Sequence, residues 1–264
     1  MPTTKTDDGT TLSYQTWGSG PTTLMIYPGW SFSSMQWEDF CQTADLSGLR
    51  VICLDPRGFG KSGKPREGYT LERLRDDLLA VANAEQVKTF VLLGHSMGGK
   101  IAQFVTATAP ERVLGQLLAL PVPASPLPLP QPVIELYRSC PGNRANFWLT
   151  LSLAMCEMPS PVLRDKMLND CLQAGKEALL QTFEQLILQG DCTDAVKKTT
   201  VPTVVVGTDD PIMTLDLLKA TVMAQVPGAQ LVHVPHAGHY PHLVRPQEFA
   251  AVVRAFCAGL VPRA

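Results

Sequence analysis

Short runs of apolar residues recur along most of the chain and alternate with amphipathic segments. Runs that are apolar at nearly every position are typical of parallel strands that are buried on both faces of a sheet. The segments that fit this pattern are TTLMIYP, LRVICLD, KTFVLLG, VLGQLLALP, TVVVGTD and AQLVHVP. We therefore expect the core of the fold to be a sheet whose two faces are both covered from solvent.

The amphipathic segments between these runs predict helices. LERLRDDLLAVANAEQ follows Thr70, which is a suitable N-cap, and GGKIAQFVTATAP ends at Pro110, which disfavours continuation of a helix. Strands and helices that alternate in this way predict an α/β fold, with a mostly parallel doubly wound sheet covered by helices on both faces.

The alternation is interrupted between residues 121 and 200. This part begins with PVPASPLPLPQP, which is typical of a semi-rigid hinge, and continues in segments rich in Leu, Met and Phe that predict three or four helices. We therefore expect residues 1–120 and 201–264 to form one α/β core, into which residues 121–200 are inserted as a helical cap, or lid.

The composition favours a single domain that acts on a small molecule. The 264 residues are 45% hydrophobic, which is enough for one large core, and the formal net charge is -2, so no basic face is expected for nucleic acid or an anionic membrane. The most apolar stretch is broken by prolines, which argues against a membrane span, and the first residues do not resemble a signal peptide. The seven cysteines lack C-x-x-C pairs, so we expect reduced thiols and a cytoplasmic protein, with no prediction of oligomeric state.

The stretch FVLLGHSMGGKIAQF places the motif G-x-S-x-G between an apolar strand and a helix. Gly94 and Gly98 permit a sharp turn that leaves the hydroxyl of Ser96 exposed at the start of the helix. The backbone N–H of Met97 is then free to donate to an oxyanion. The motif is short enough to occur by chance, so its position between strand and helix makes it informative.

Together with three other stretches, this turn resembles the nucleophile elbow of the α/β-hydrolase superfamily. LDPRGFGKS is similar to that family's loop after an early strand, VVVGTDDPIM to its acid-bearing strand end, and HAGHYPHLVRPQEF to its histidine loop. The resemblance covers nearly the whole chain. It implies the α/β-hydrolase fold and a catalytic triad in the chain order Ser, Asp, His.

A serine nucleophile needs an adjacent base, and the base needs a carboxylate that orients it. The resemblance implies that Ser96 is the nucleophile and that His239 is the base, with His236 as the alternative. It implies that the acid is Asp210, with Asp209 as the alternative.

The histidine-rich stretch HVPHAGHYPH holds four of the five histidines. Its prolines and glycine prevent the helix that would align them, and zinc sites usually combine ligands at other spacings. We therefore expect no metal site. We expect His233 to be a buried strand residue and the other histidines besides His239 to be incidental polar residues of a loop.

The second oxyanion donor is expected in the stretch YPGWSFSSMQW. The family usually has His-Gly where this chain has Pro28 and Gly29, but the donor is a backbone N–H, which Trp30 can supply and proline cannot. The residues that we expect to line the substrate pocket are Gly29, Phe32, His95, Phe147, Trp148, Met155 and Met158.

The leading hypothesis is a serine hydrolase that cleaves a small hydrophobic carboxylic ester or lactone through an acyl-enzyme intermediate, without a cofactor. A perhydrolase, or cofactor-free haloperoxidase, would use the same triad to make peracids. A cofactor-free oxygenase or carbon–carbon bond hydrolase would use the same histidine and acid. A non-catalytic ligand receptor is a more remote alternative, because the serine, the acid, the histidine and the elbow glycines are all present.

Overall fold

The computed structural model describes residues 1–260, which form one sheet with the strand order β1-β2-β4-β3-β5-β6-β7-β8. The strands are β1 Thr3–Lys5, β2 Thr11–Trp17, β3 Thr22–Tyr27, β4 Leu49–Leu54, β5 Phe90–His95, β6 Val113–Ala119, β7 Thr203–Gly207 and β8 Gln230–His233. Strand β2 pairs antiparallel with β1 and with β4, and every pair from β4 to β8 is parallel. The predicted mostly parallel sheet is confirmed, and its parallel carboxyl ends lie at one edge.

Helices pack on both faces of the sheet, as predicted. Helices α2 and α3 contribute to one buried apolar cluster, and α1 and α11 contribute to the other. The helices outside the interruption are α1 Glu38–Thr43, α2 Leu71–Ala84, α3 Met97–Thr108, α9 Leu215–Leu218, which continues as a π-helix over Lys219–Met223, α10 Pro241–Val244 and α11 Pro246–Ala258, and a 3₁₀ helix covers Ser34–Gln36. Successive residues of β3 belong to different clusters, which explains why the central strands are apolar at nearly every position.

The chain between β6 and β7 is helical. Its helices are α4 Gln131–Arg138, α5 Arg144–Ser152, α6 Pro161–Leu172, α7 Lys176–Gln181, which continues as a π-helix over Thr182–Leu188, and α8 Thr193–Val196. The stretch 162–190 is not one continuous helix, because it is interrupted between α6 and α7. At this interruption the N–H of Gly175 donates to the carbonyl of Gly58 at 2.7 Å. The division into a core of 1–120 and 201–264 and a cap of 121–200 stays a prediction, and residues 261–264 of that core lie outside the described part of the chain.

Lys100 connects α3 to the chain between β6 and β7. Its side chain is completely buried, and its ammonium group donates to the carbonyls of Ser125 at 3.1 Å, Leu186 at 2.7 Å and Gly190. Burial lowers the pKa of Lys100 to about 8, so the ammonium form prevails at neutral pH. The lysine thus fixes the position of the π-helix relative to α3.

We expect Lys100→Met to lower the free energy of unfolding by about 2–4 kcal/mol, because methionine fills the space but leaves three carbonyls without their donor. Urea denaturation followed by circular dichroism measures the change. The matched control is Lys88→Met at an exposed lysine, which should stay within about 0.5 kcal/mol of the wild type. Equal unfolding midpoints for Lys100→Met and the wild type would show that these hydrogen bonds do not stabilise the fold.

The helices and the cysteines of residues 1–260 bear on the predicted environment of the protein. No helix in this range is long and apolar enough to cross a membrane. All seven cysteines lie within it and are free, and only Cys41 and Cys156 are not buried.

Candidate active site

Ser96 lies at the turn between β5 and α3, in a backbone conformation with φ 54° and ψ −119° that is uncommon for any residue other than glycine. The turn is crowded. A Cβ atom added to Gly94 would lie 2.4 Å from the carbonyl oxygen of Gly98, and one added to Gly98 would lie 2.2 Å from the carbonyl oxygen of Tyr27. Both glycines are therefore required for the close approach of strand and helix, and the serine between them lines an internal cavity.

His239 lines the same cavity, and its Nδ1 atom is hydrogen-bonded to the carboxylate of Asp210. The Asp210 side chain is completely buried just after β7, and its second oxygen accepts the N–H groups of Ile212 at 2.7 Å and Met213 at 3.1 Å. Burial alone would raise the pKa of Asp210, but the charge of His239 and the hydrogen bonds outweigh it and hold this pKa below its usual value. An ionised Asp210 thus orients His239 and leaves its Nε2 atom available as a base.

The alternative residues pair with one another elsewhere. The carboxylate of Asp209 accepts the N–H of His236 at 2.6 Å and contacts Nε2 of His233 at 3.2 Å. The His236 side chain is 77% exposed. The geometry therefore brings His239 and Asp210 together with the cavity of Ser96, and it places Asp209 and His236 outside that group.

Two expectations about the other histidines are wrong. The His233 side chain is 40% exposed instead of buried, because β8 is the last strand of the sheet. His242 is not an incidental loop residue: it lies in α10, is completely buried and stacks on the ring of Trp37 with 4.0 Å between centroids. Within residues 1–260, no three His, Cys, Asp or Glu side chains are placed to hold a metal ion.

The alpha/beta hydrolase family model matches residues 24–252. The chain belongs to this family. It is 28% identical to a non-heme haloperoxidase of Rhodococcus erythropolis, over 90% of this chain and 93% of the relative. It is 26% identical to a bifunctional esterase/perhydrolase of Acinetobacter calcoaceticus, over 90% of this chain and 91% of the relative. An esterase structure from Exiguobacterium antarcticum superposes with a TM-score of 0.88 at 21% identity, over 97% of this chain and 99% of that one, which confirms the fold.

In this hydrolase, His95 positions the histidine loop. The His95 side chain is completely buried at the end of β5, and its Nε2 atom lies 2.8 Å from the carbonyl oxygen of His239. Burial lowers the pKa of His95 to about 3, so the ring is neutral, and its proton is on Nε2 because a carbonyl can only accept. The residue that precedes the serine therefore holds the backbone of the proposed base.

The two amides that we expect to form the oxyanion hole lie next to Ser96. Met97 is the first residue of α3, so its N–H has no partner inside the helix. A Cβ atom added to Gly29 would lie 3.3 Å from Cβ of Ser96, so the backbone that leads into Trp30 passes beside the serine. Among residues 1–260, neither the Met97 nor the Trp30 amide donates to a backbone carbonyl. Their assignment as oxyanion donors stays a prediction.

The cavity at Ser96 is small and mostly apolar, with about 60 Å³ open to the centres of water-sized molecules. Of the residues expected to line it, Gly29, Phe32 and His95 do so. The apolar wall also includes residues that sequence reasoning missed, among them Val122, Leu127, Leu151, Ile187, Ile212 and Tyr240. Nothing in the sequence distinguishes an apolar residue that lines the cavity from one that packs in the hydrophobic core.

The four other expected lining residues lie elsewhere. Phe147 is completely buried against the ring of Trp30, with 6.1 Å between centroids, and Trp148 lies under the guanidinium of Arg164 at 5.9 Å. Met155 and Met158 line a second cavity. They lie outside the lining of the cavity at Ser96 because α5 presents Thr150 and Leu151 to it, so that the preceding aromatic residues face other neighbours.

Proposed function

We propose that this protein is a serine hydrolase that cleaves small hydrophobic carboxylic esters or lactones through an acyl-enzyme intermediate. The observation that carries the proposal is the hydrogen bond between Asp210 and His239, with His239 lining the same cavity as Ser96. A base that is oriented in this way can activate a serine hydroxyl at neutral pH. The name of the Acinetobacter relative, an esterase/perhydrolase, supports the same reaction class.

In the proposed reaction, Oγ of Ser96 attacks the substrate carbonyl carbon while Nε2 of His239 takes the hydroxyl proton. The amides of Met97 and Trp30 donate to the oxyanion. The proton then passes to the alcohol oxygen as the ester bond breaks. Water, deprotonated by His239, attacks the acyl-enzyme and releases the acid. The serine recovers its proton, so one ester and one water give one acid and one alcohol.

We also propose that residues 121–200 form a cap over this site. Leu127, Leu151 and Ile187 come from this part of the chain and line the cavity. The indole N–H of Trp30 donates to the carbonyl of Leu179 at 3.0 Å, which connects the oxyanion loop to the same segment. An apolar cap over the site favours hydrophobic substrates, and small-molecule partners in general.

The free cysteines support a reducing compartment, so we propose that the protein acts in the cytoplasm.

The second candidate function is a perhydrolase, which the names of the two relatives favour. In this reaction a carboxylic acid acylates Ser96 with loss of water, and hydrogen peroxide then attacks the acyl-enzyme and leaves as a peracid. The peracid can oxidise bromide outside the site. Both reactions need the same nucleophile and base. They differ in the acyl donor, which is an ester or a carboxylic acid, and in the acyl acceptor, which is water or hydrogen peroxide.

The test compares release of p-nitrophenol from p-nitrophenyl butyrate with bromination of a dione in the presence of acetate, peroxide and bromide. We expect the wild type to hydrolyse the ester. A folded wild type that is inert toward esters and lactones and makes peracid would favour the second candidate. Oxygen uptake with an aromatic ketone that survives Ser96→Ala would contradict both candidates.

A further inference from the structure

Two cavities meet at Tyr240, the residue that directly follows His239. The first is the cavity at Ser96. The second has about 210 Å³ open to the centres of water-sized molecules. Tyr240 lines both cavities, and the adjacent residues Ala154 and Met155 line the first and the second respectively. The Tyr240 side chain and this short piece of backbone therefore form the wall between them.

The ring of Tyr240 is held in place by other aromatic rings. It is buried and lies edge-on to His239, with 5.2 Å between centroids, and edge-on to Phe32, with 6.1 Å between centroids. Edge-to-face contacts of this kind stabilise one ring orientation. The wall is thus a fixed part of the site, and it stands beside the proposed base.

The second cavity is suited to an alkyl chain. Most of its lining consists of flexible or branched apolar side chains, namely Met155, Met158, Leu163, Met167, Leu243 and Val244. Its lining also includes the charged residue Glu157, which lies 3.4 Å from the guanidinium of Arg245. Methionine adapts its shape to apolar ligands. Met158 is 65% exposed, so the cavity is open to solvent at one end. By contrast, the cavity at Ser96, with about 60 Å³ by the same measure, has room for only a short chain.

We propose that Tyr240 limits the chain length of the ester that this hydrolase accepts, and that the second cavity is an alkyl subsite which the ring closes off. The inference rests on the proposed function for its substrate class. The position of Tyr240 explains why the space at Ser96 is small although more space lies directly behind the ring. It also assigns a role to Met155 and Met158 on the far side of the wall.

The test measures kcat/KM in two series of esters. The first varies the acyl chain and compares p-nitrophenyl butyrate with p-nitrophenyl octanoate. The second varies the alcohol and compares ethyl butyrate with octyl butyrate. We expect the wild type to discriminate against the long chain by about tenfold or more, and Tyr240→Ala to raise the long-to-short ratio by about tenfold in at least one series. Tyr240→Phe keeps the ring and should keep the wild-type ratio. An unchanged ratio for Tyr240→Ala in both series would overturn the proposal.

Leu163→Trp tests whether the second cavity receives the chain, because Leu163 lines that cavity and not the one at Ser96. In the Tyr240→Ala background this substitution should return the ratio to the wild-type value, and alone it should leave the ratio unchanged. A double variant that keeps the raised ratio would show that the chain goes elsewhere, which would overturn the subsite.

A binding measurement separates this inference from the proposed function. Calorimetry with decanoate needs no turnover, and we expect Tyr240→Ala to bind decanoate about tenfold more tightly than the wild type, with Leu163→Trp cancelling the gain. If the wild type hydrolyses no ester, the proposed function is wrong, and the calorimetry still decides the inference. Equal affinity in all variants would overturn it. Tyr240→Leu provides the same tests if the alanine variant does not fold.

Discussion

Ser96→Ala and His239→Ala each lower kcat/KM for p-nitrophenyl butyrate by about a thousandfold or more, if the proposed triad is correct. Alanine removes the nucleophile in the first variant and the base in the second, and the remaining oxyanion donors provide only residual catalysis. The double variant should be no worse than either single one, because the two residues act as a unit. Steady-state release of p-nitrophenol measures the change, and circular dichroism verifies the fold of each variant.

His236→Ala is the matched control, because His236 belongs to the same loop and is the alternative base. Its exposed ring contacts Asp209 and not Asp210. We expect this variant to retain kcat/KM within about threefold of the wild type. A large loss in His236→Ala together with an active His239→Ala would contradict the assignment of the base.

The second large effect is expected for Asp210→Asn, which should lower kcat by about a thousandfold or more. The N–H groups of Ile212 and Met213 need an acceptor, so the asparagine oxygen faces them and its NH2 group faces His239. This donor favours the tautomer with the proton on Nε2, and it cannot stabilise the imidazolium that forms during the reaction. Asp209→Asn removes the charge of the neighbouring carboxylate, and we expect it to stay within about threefold of the wild type. Equal losses in the two variants would show that the acid has not been identified.

The loss of the Asp210 carboxylate also changes how stability depends on pH. The pKa of Asp210 in the folded protein lies below its ordinary value of 3.8, so the carboxylate contributes stability that is present above about pH 3.8 and is lost as the pH falls through the folded-state pKa. The free energy of unfolding of the wild type should therefore fall more steeply below pH 3.8 than that of Asp210→Asn. Urea denaturation at a series of acidic pH values measures this difference.

The sequence predicted the central strands because they are buried on both faces, which makes them continuously apolar. Strands β1 and β2 escaped prediction, since only three of the seven positions of β2 are buried and β1 is mostly exposed at the edge of the sheet. The elbow was predictable because the turn at Ser96 tolerates only glycine two residues before the serine, at Gly94, and two residues after it, at Gly98. These features depend on local sequence, and local sequence was sufficient for them.

The lining of the pocket was only partly predictable, because it depends on how separate helices pack. Phe147 and Trp148 have the size and chemistry of pocket residues, yet the rotation of α5 directs Leu151 to the site instead. The buried position of His242 likewise depends on Trp37, which lies far away in the sequence. No periodicity within one segment carries information about such contacts.

Covalent labelling identifies the nucleophile directly. Wild type is incubated with a fluorophosphonate, which reacts with activated serines, and the intact mass is measured before proteolytic peptides are mapped. We expect one adduct per chain on the peptide that contains Ser96, with no labelling of Ser96→Ala and at least about a hundredfold slower labelling of His239→Ala. A folded wild type that takes up no phosphonate, or takes it up at another residue, would contradict the assignment of Ser96 as the nucleophile.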